Sequence, residues 1–406
     1  MDCDAAGQTE AVLPAESVNE RLANEANEPR LRVMHVITGL DVGGAEMMLW
    51  KLLSVSSKRC ASMVVSLGPE GAVAQKIREL GITVHCLGLR PPGFGLFRLF
   101  RILSFVRQFR PRIVQGWLIH GNLAASLAGL GYGKQVSLFW NIRQSLYDMS
   151  AEPFGTAAAI RAGALISSLP EKVIYASRTS AQQHERLGYA HRKSVIVPNG
   201  FDCEKFRPNV ESRRRVLSEL GIRRDAVLVG LVARYHPMKD HANFLRAAGI
   251  VARRYAAAHF VFAGKGVTNG RGELAKLIDE QGLRQHVSLL GERSDVAELT
   301  AALDIACSAS WTEGFSNSIG EAMACGVPCV VTDVGESASL VGDTGLIVPP
   351  RNPEATAHAI GRLIDAGSAE QKKLGIAARK KIESEFSLPR IAGRYEELYK
   401  ECLAFP

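Results

Sequence analysis

Glu313 and Glu321 stand eight residues apart in the stretch Ser310-Trp311-Thr312-Glu313-Gly314-Phe315-Ser316-Asn317-Ser318-Ile319-Gly320-Glu321. The short stretch Leu303 to Ala306 reads as a buried strand ahead of it, and a helix is expected from about Asn317 to Cys325. Glu313 then lies on a loop and Glu321 inside the helix. The small residues Ser316, Asn317 and Ser318 leave backbone amides open at the helix start. Such amides lack intrahelical partners and the helix dipole adds positive potential, so the end accepts an anion. Carboxylates accept from hydroxyls and amides donate to phosphate; a nucleotide sugar needs both. Singly, Glu313 reads as well as a solvated loop residue and Glu321 as a surface helix residue. Ile319, Ala322, Met323 and the run Val327 to Val331 are apolar, however, so Glu321 borders the core, where an unpartnered carboxylate is costly.

Other candidates sit at expected strand ends. Val227 to Ala233 is a continuous apolar run suited to a strand covered on both faces, and Arg234 and Lys239 follow it; solvated loop charges are the plain alternative. The strand Arg32–Ile37 leads through Gly43-Gly44 into a helix over about Ala45–Ser56, the start of a Rossmann unit. Glycine there admits close approach of a diphosphate, or serves the turn alone. Gln115-Gly116-Trp117-Leu118-Ile119-His120-Gly121-Asn122 also closes a strand, and on a helical first turn Trp117 and His120 share a face. Arg143 ends another strand, as a substrate contact or as a structural ion pair.

The E-x7-E pattern at Glu313 and Glu321, followed by Ala-Met-Ala-Cys-Gly-Val-Pro (322–328), resembles the retaining glycosyltransferases of family 4, the group 1 enzymes, which have the two-Rossmann GT-B fold. The resemblance runs from about Arg32 onward. It implies that Glu321 accepts from the nucleotide ribose and Glu313 lies beside the donor sugar. Amides of the loop Phe315, Ser316, Asn317 and Ser318 would meet the diphosphate, with Gly43 and Gly44 facing it across the cleft. Arg234 and Lys239 would hold the departing diphosphate, whose charge grows in the transition state. Gly264 resembles the glycine turn near the nucleotide, and the Arg293 segment the loop that frames the base. Many members carry H-x-H where this chain has Gln115 and Trp117, so His120 is the expected active-site imidazole, against a structural helix-start residue. An expected folded D-x-D is lacking, Asp2-Cys3-Asp4 being in the tail, so no metal and no cofactor are expected.

The expected architecture is α/β: two Rossmann-like, doubly wound domains facing across a cleft. An acidic disordered tail (1–30) would precede an acceptor-binding domain (31–205), a nucleotide-sugar domain (206–387) and a terminal helix (388–406) crossing back. The 406 residues suffice for roughly two cores. The tail has no apolar signal region, and no run reaches the roughly 18–20 residues of a membrane span, so a cytoplasmic setting is expected. Eight cysteines lack metal-ligand spacing, and Cys325 and Cys329 read as core residues. A net charge of +8 favours an anionic partner, and no nucleic-acid-binding motif accompanies it. Leu96 to Arg110 reads as an amphipathic helix with Arg98 and Arg101 on a basic stripe: a covering helix, or a peripheral contact with the anionic inner face of a membrane. The resemblance implies transfer of a hexose-type sugar, with UDP as the favoured carrier, to a hydroxyl of a glycan or lipid-linked oligosaccharide in cell-surface polysaccharide assembly (lipopolysaccharide or exopolysaccharide). The competing readings are a degenerate scaffold of such an assembly and a GT-B nucleotide-sugar epimerase.

Overall fold

The computed structural model describes residues 30–57, 59–89, 96–146, 149–150, 152–268 and 272–404. The expected acidic tail, apart from Arg30, and the loop Pro91–Gly95 lie outside the described residues. Two parallel sheets organise the rest. The front sheet comprises β1 (Leu31–Ile37), β2 (Cys60–Ser66), β3 (Thr83–Cys86), β4 (Ile113–Trp117), β5 (Ser137–Ile142), β6 (Lys172–Tyr175) and β7 (Ser194–Ile196). Its spatial order is β3-β2-β1-β4-β5-β6-β7. The rear sheet comprises β8 (Val227–Val232), β9 (Ala258–Ala263), β10 (Val287–Leu289), β11 (Ile305–Ser308), β12 (Cys329–Thr332) and β13 (Leu346–Val348), in the order β10-β9-β8-β11-β12-β13.

Parallel strands need crossovers, and helices between them cover both faces of each sheet. Alternate residues of one strand therefore feed different cores. Met34 and Val36 join one apolar cluster of the front lobe while Val33 and Ile37 join the other. In the rear lobe Phe260 and Phe262 pack on one side and Val261 on the other. The expected strand at Leu303–Ala306 lies later, at Ile305–Ser308. Leu303 instead fills the space over Gly230, where a Cβ would come within 2.4 Å of it. The expected helix over Leu96–Arg110 is a 3-10 turn, Leu96–Phe100, followed by an α-helix, Arg101–Phe109. The Arg98 guanidinium reaches back to donate to the Leu87 carbonyl at 3.0 Å, which anchors the tighter turn.

The chain passes between lobes twice, and the two passes are hydrogen-bonded together. Phe201 N–H donates to the Phe386 carbonyl, and Leu388 N–H to the Phe201 carbonyl, each at 2.9 Å. The final helix, Leu388–Ala404, then lies on the front lobe. Its Tyr395 hydroxyl accepts from Asn141 Nδ2 at 2.8 Å, and its Tyr399 hydroxyl donates to the Gln115 side chain.

Candidate active site

In each sheet the strand order reverses between the first and fourth strands, at β1/β4 and at β8/β11. Open α/β sheets bind ligands at the carboxyl ends of strands beside such a reversal. The four segments that follow those strands carry Gly43-Gly44, His120, Arg234 to Lys239, and Ser310 to Glu321. The topology thus assembles residues that are far apart in sequence.

In the rear lobe Lys239 Nζ donates to Glu313 Oε1, and Ser310 Oγ donates to the same oxygen at 2.8 Å. The loop after β8 is fastened to the loop after β11 by Trp311. Its indole N–H donates to the Pro237 carbonyl at 2.9 Å and its amide to the Met238 carbonyl at 3.1 Å. Lys239, Ser310, Glu313 and Ser318 line one small cavity above the strand ends. Asp240, with φ 47°, turns the chain there and caps the next helix by accepting from Asn243 N–H at 3.2 Å. Arg234, earlier in the same segment, is exposed. Burial, then Arg234 and Lys239, lowers the pKa of His236, so both cations act on one imidazole. Gly264 (φ 149°) is required beside them, since a Cβ would lie 2.2 Å from the Ala233 carbonyl oxygen.

Two helix starts converge across the lobes. Helices Gly44–Ser56 and Asn317–Ala324 begin at Gly43 and Ser316, and neither residue caps its helix with a side chain. A Cβ on Gly44 would lie 3.5 Å from Asn317 Nδ2. Glu46 curls back over the front start, its Oε2 within 2.3 Å of where a Gly43 Cβ would stand. Burial raises the Glu46 pKa, and the nearby Asp41 adds to this.

His120 follows Leu118, which holds a left-handed φ of 64°, unusual for a branched residue and a mark of strain near sites. Gly121 packs the turn onto β1, its N–H donating to Thr38 Oγ1 at 3.2 Å. Burial lowers the His120 pKa, which favours neutral imidazole. Gln115 and Trp117, at the family's H-x-H places, are fully buried. Trp117 donates its indole N–H to His35 Nδ1 at 3.2 Å. Of these positions His120 alone is half-buried at the strand end.

Three expected site residues have their side chains engaged elsewhere. Arg143 donates to the Val197 carbonyl at 2.8 Å and to Asn199 Oδ1 at 3.1 Å, and also bonds the Tyr395 hydroxyl. It ties β5 to the interlobe crossing and the final helix. Arg293 is held by Asp295 (2.7 and 2.6 Å) and by Glu219 (2.5 and 3.1 Å). Its donors point at carboxylates of its own lobe. Phe315 stacks with Phe201 and meets Phe386 at a tilt, each at 6.1 Å between centroids, in an aromatic cluster at the crossing.

Other residues at the cleft escaped the sequence reading. Asn199 Nδ2 donates to Asn317 Oδ1 at 2.8 Å across the lobes. Glu336 Oε1 accepts from the Arg178 and Thr179 amides, at 2.7 and 3.3 Å, at the start of a front-lobe helix. Lys51 Nζ lies 3.3 Å from Glu321 Oε1. Lys51 stands seven residues after Gly44, two helical turns on the same face, and that spacing was the available signal. Burial raises the Glu321 pKa, and Lys51 opposes the rise. Among the described residues no group of three or more His, Cys, Asp or Glu is placed to hold a metal.

Residues 42–205 match the family model for Glycosyltransferase Family 4, and residues 226–366 the model for group 1 glycosyl transferases. EpsF of Bacillus subtilis, assigned as a glycosyltransferase, is 27% identical over 332 residues, covering 76% of this chain and 80% of that protein. An Escherichia coli UDP-Gal:alpha-D-GlcNAc-diphosphoundecaprenol alpha-1,3-galactosyltransferase is 27% identical over 217 residues, which cover 51% of this chain and 54% of that enzyme. The structure of Anabaena HepE in complex with UDP superposes with a TM-score of 0.80 at 19% identity, over 92% of this chain and 100% of that one. Two doubly wound sheets, reversed at facing points, are the GT-B arrangement. The chain belongs to the family 4, group 1 glycosyltransferases.

Proposed function

We propose that the protein transfers a hexose-type unit, with retention, from a UDP-sugar to a hydroxyl of a glycan or lipid-linked oligosaccharide in surface polysaccharide assembly. The observation that carries this reading is the meeting of Lys239, Glu313 and Ser318 in one cavity, beside two uncapped helix starts. The diphosphate would lie on Arg234, Lys239 and the amides at Gly44 and Ser316–Ser318. Glu321 would accept from the ribose and Glu313 from the sugar. Lys239 and Glu313 are paired with each other, and a donor would offer each its own partner.

The bond from the anomeric carbon to the diphosphate oxygen breaks while the acceptor oxygen bonds the same face of the sugar. The acceptor proton passes to the departing phosphate oxygen. Fixed cations and amides stabilise the charge that develops there, so no divalent ion is required. His120, neutral, would border the reacting face. A GT-B epimerase would release an epimerised sugar, and a degenerate scaffold would release no nucleotide at all.

A peripheral membrane contact is a second element of the proposal. Phe97 and Phe100 are 73% and 65% exposed beside Arg98 and Arg101. Apolar side chains flanked by cations suit an anionic lipid surface, although Arg98 is partly spent on Leu87. Among the described residues no helix is long and apolar enough to cross a membrane.

A thermal-shift screen against UDP- and GDP-sugars tests the donor assignment, because a ligand that binds the native state raises its melting temperature. A UDP-sugar should raise it in chelator as well as without. Equal indifference to all nucleotide sugars would defeat the reading.

A further inference from the structure

We propose that Lys51 is a positioning residue for the donor clamp: the front lobe supplies it to hold one oxygen of Glu321, leaving the other to accept ribose hydroxyls when the lobes are closed. The inference rests on the donor reading above.

Lys51 and Glu321 approach to 3.3 Å from different lobes, with side-chain exposures of 15% and 17%. The contact is built along a seam. Gly44 opposes Asn317 at one end, and Lys51, seven residues on, opposes Glu321, four residues on. Seven and four residues each return to one helical face, so the two helices meet twice. The Lys51 ammonium also lies 6.0 Å from the Phe206 ring centre, which limits its wandering. Only Oε1 of Glu321 accepts from Lys51.

The charge balance gives the lysine its task. Groups facing Glu321 are Lys51 from the front helix, Lys205 from the crossing and Cys325 on its own helix. Burial favours the protonated acid, and Lys51 is the first of the groups opposing that. A protonated Glu321 would present a donor where ribose needs an acceptor. Because the lysine comes from the other lobe, the clamp is prepared only as the cleft closes.

The test is calorimetric titration of the full chain with UDP, and with GDP as a second probe, between pH 5 and 8. The proteins are wild type, Lys51→Met, Lys51→Arg, Glu321→Gln and Lys51→Met/Glu321→Gln, each checked by thermal melt. Lys51→Met should bind about tenfold more weakly at pH 7, in line with loss of a charge-assisted contact. Its affinity should begin to fall at a higher pH than in wild type, because Glu321 then takes up its proton sooner. Lys51→Arg should restore most of the affinity. In the Glu321→Gln background Lys51→Met should have little further effect. Wild-type affinity and pH profile in Lys51→Met would overturn the inference while leaving the donor reading intact. Tighter binding by Lys51→Met would also overturn it, since the lysine would then compete with ribose. Wild-type protein that binds neither nucleotide would overturn both.

Discussion

Replacing Gly320 by alanine tests how the clamp helix is seated. A Cβ at that position would lie 1.9 Å from Phe201 Cζ and 2.4 Å from both Cε atoms. Carbon atoms pack at about 3.5–4.0 Å, so a gap of roughly 1.5–2 Å must open. Phe201 has little room to yield. Its amide and carbonyl are bonded at 2.9 Å to Phe386 and Leu388, and its ring stacks on Phe315. The helix Asn317–Ala324 must therefore shift. Overpacking costs about 1–3 kcal/mol, and alanine returns about 1 kcal/mol of helix propensity. With so large an overlap we expect a net loss of about 2 kcal/mol. Differential scanning calorimetry should show a lower melting temperature for Gly320→Ala. Phe201→Leu combined with it should be more stable than the two separate losses imply, with a coupling above about 1 kcal/mol. Displacement of Glu321 should also weaken UDP binding. A Gly320→Ala protein melting at or above wild type would show that propensity wins and that the helix is not pressed on the crossing.

Lys239→Ala should lower turnover at saturating donor by about 10²–10³, equivalent to about 3–4 kcal/mol of transition-state stabilisation, as measured by nucleoside diphosphate release. Near-normal turnover would remove the lysine from the mechanism. Glu336→Ala removes the carboxylate that accepts from the Arg178 and Thr179 amides across the cleft. We expect about 1 kcal/mol of lost stability and a larger radius of gyration by small-angle scattering, whereas an unchanged radius would exclude a latch. Burial lowers the pKa of His35 to about 3 and those of His184, His241 and His259 to about 4, from an ordinary 6.5. The unfolded chain binds protons first as pH falls below 6.5, so stability should decline from there towards pH 4. Each histidine contributes up to about 1.4 kcal/mol per pH unit. Glu46, Asp304 and Glu321, raised by burial, act in the opposite sense and reduce the net fall. A melting temperature flat between pH 7 and pH 5 would contradict the balance.

Much of the architecture was legible because its signals are local. An apolar run such as Val227–Val232 announces a doubly covered strand, and E-x7-E marks the helix start beside β11. Partnership was not legible. An arginine at a strand end looks the same whether it meets a phosphate or, like Arg293, a carboxylate 74 residues earlier in the chain. Arg143 is likewise claimed by Tyr395, 252 residues away. Gln115 is buried because the final helix delivers Tyr399, 284 residues on, to its side chain. Lys51 reads as one more solvated lysine until the lobes are assembled. Residues fixed by backbone geometry could be anticipated, and those fixed by partners far along the chain could not.

A crystal structure of the protein with UDP-sugar, grown with a metal chelator present, addresses the donor grip itself. The diphosphate is predicted on Arg234, Lys239 and the two helix starts, with the ribose hydroxyls on Glu321. Nucleotide seated instead in the basic groove lined by Lys205, Arg207, Arg214 and Arg224, with the cleft empty, would contradict the account.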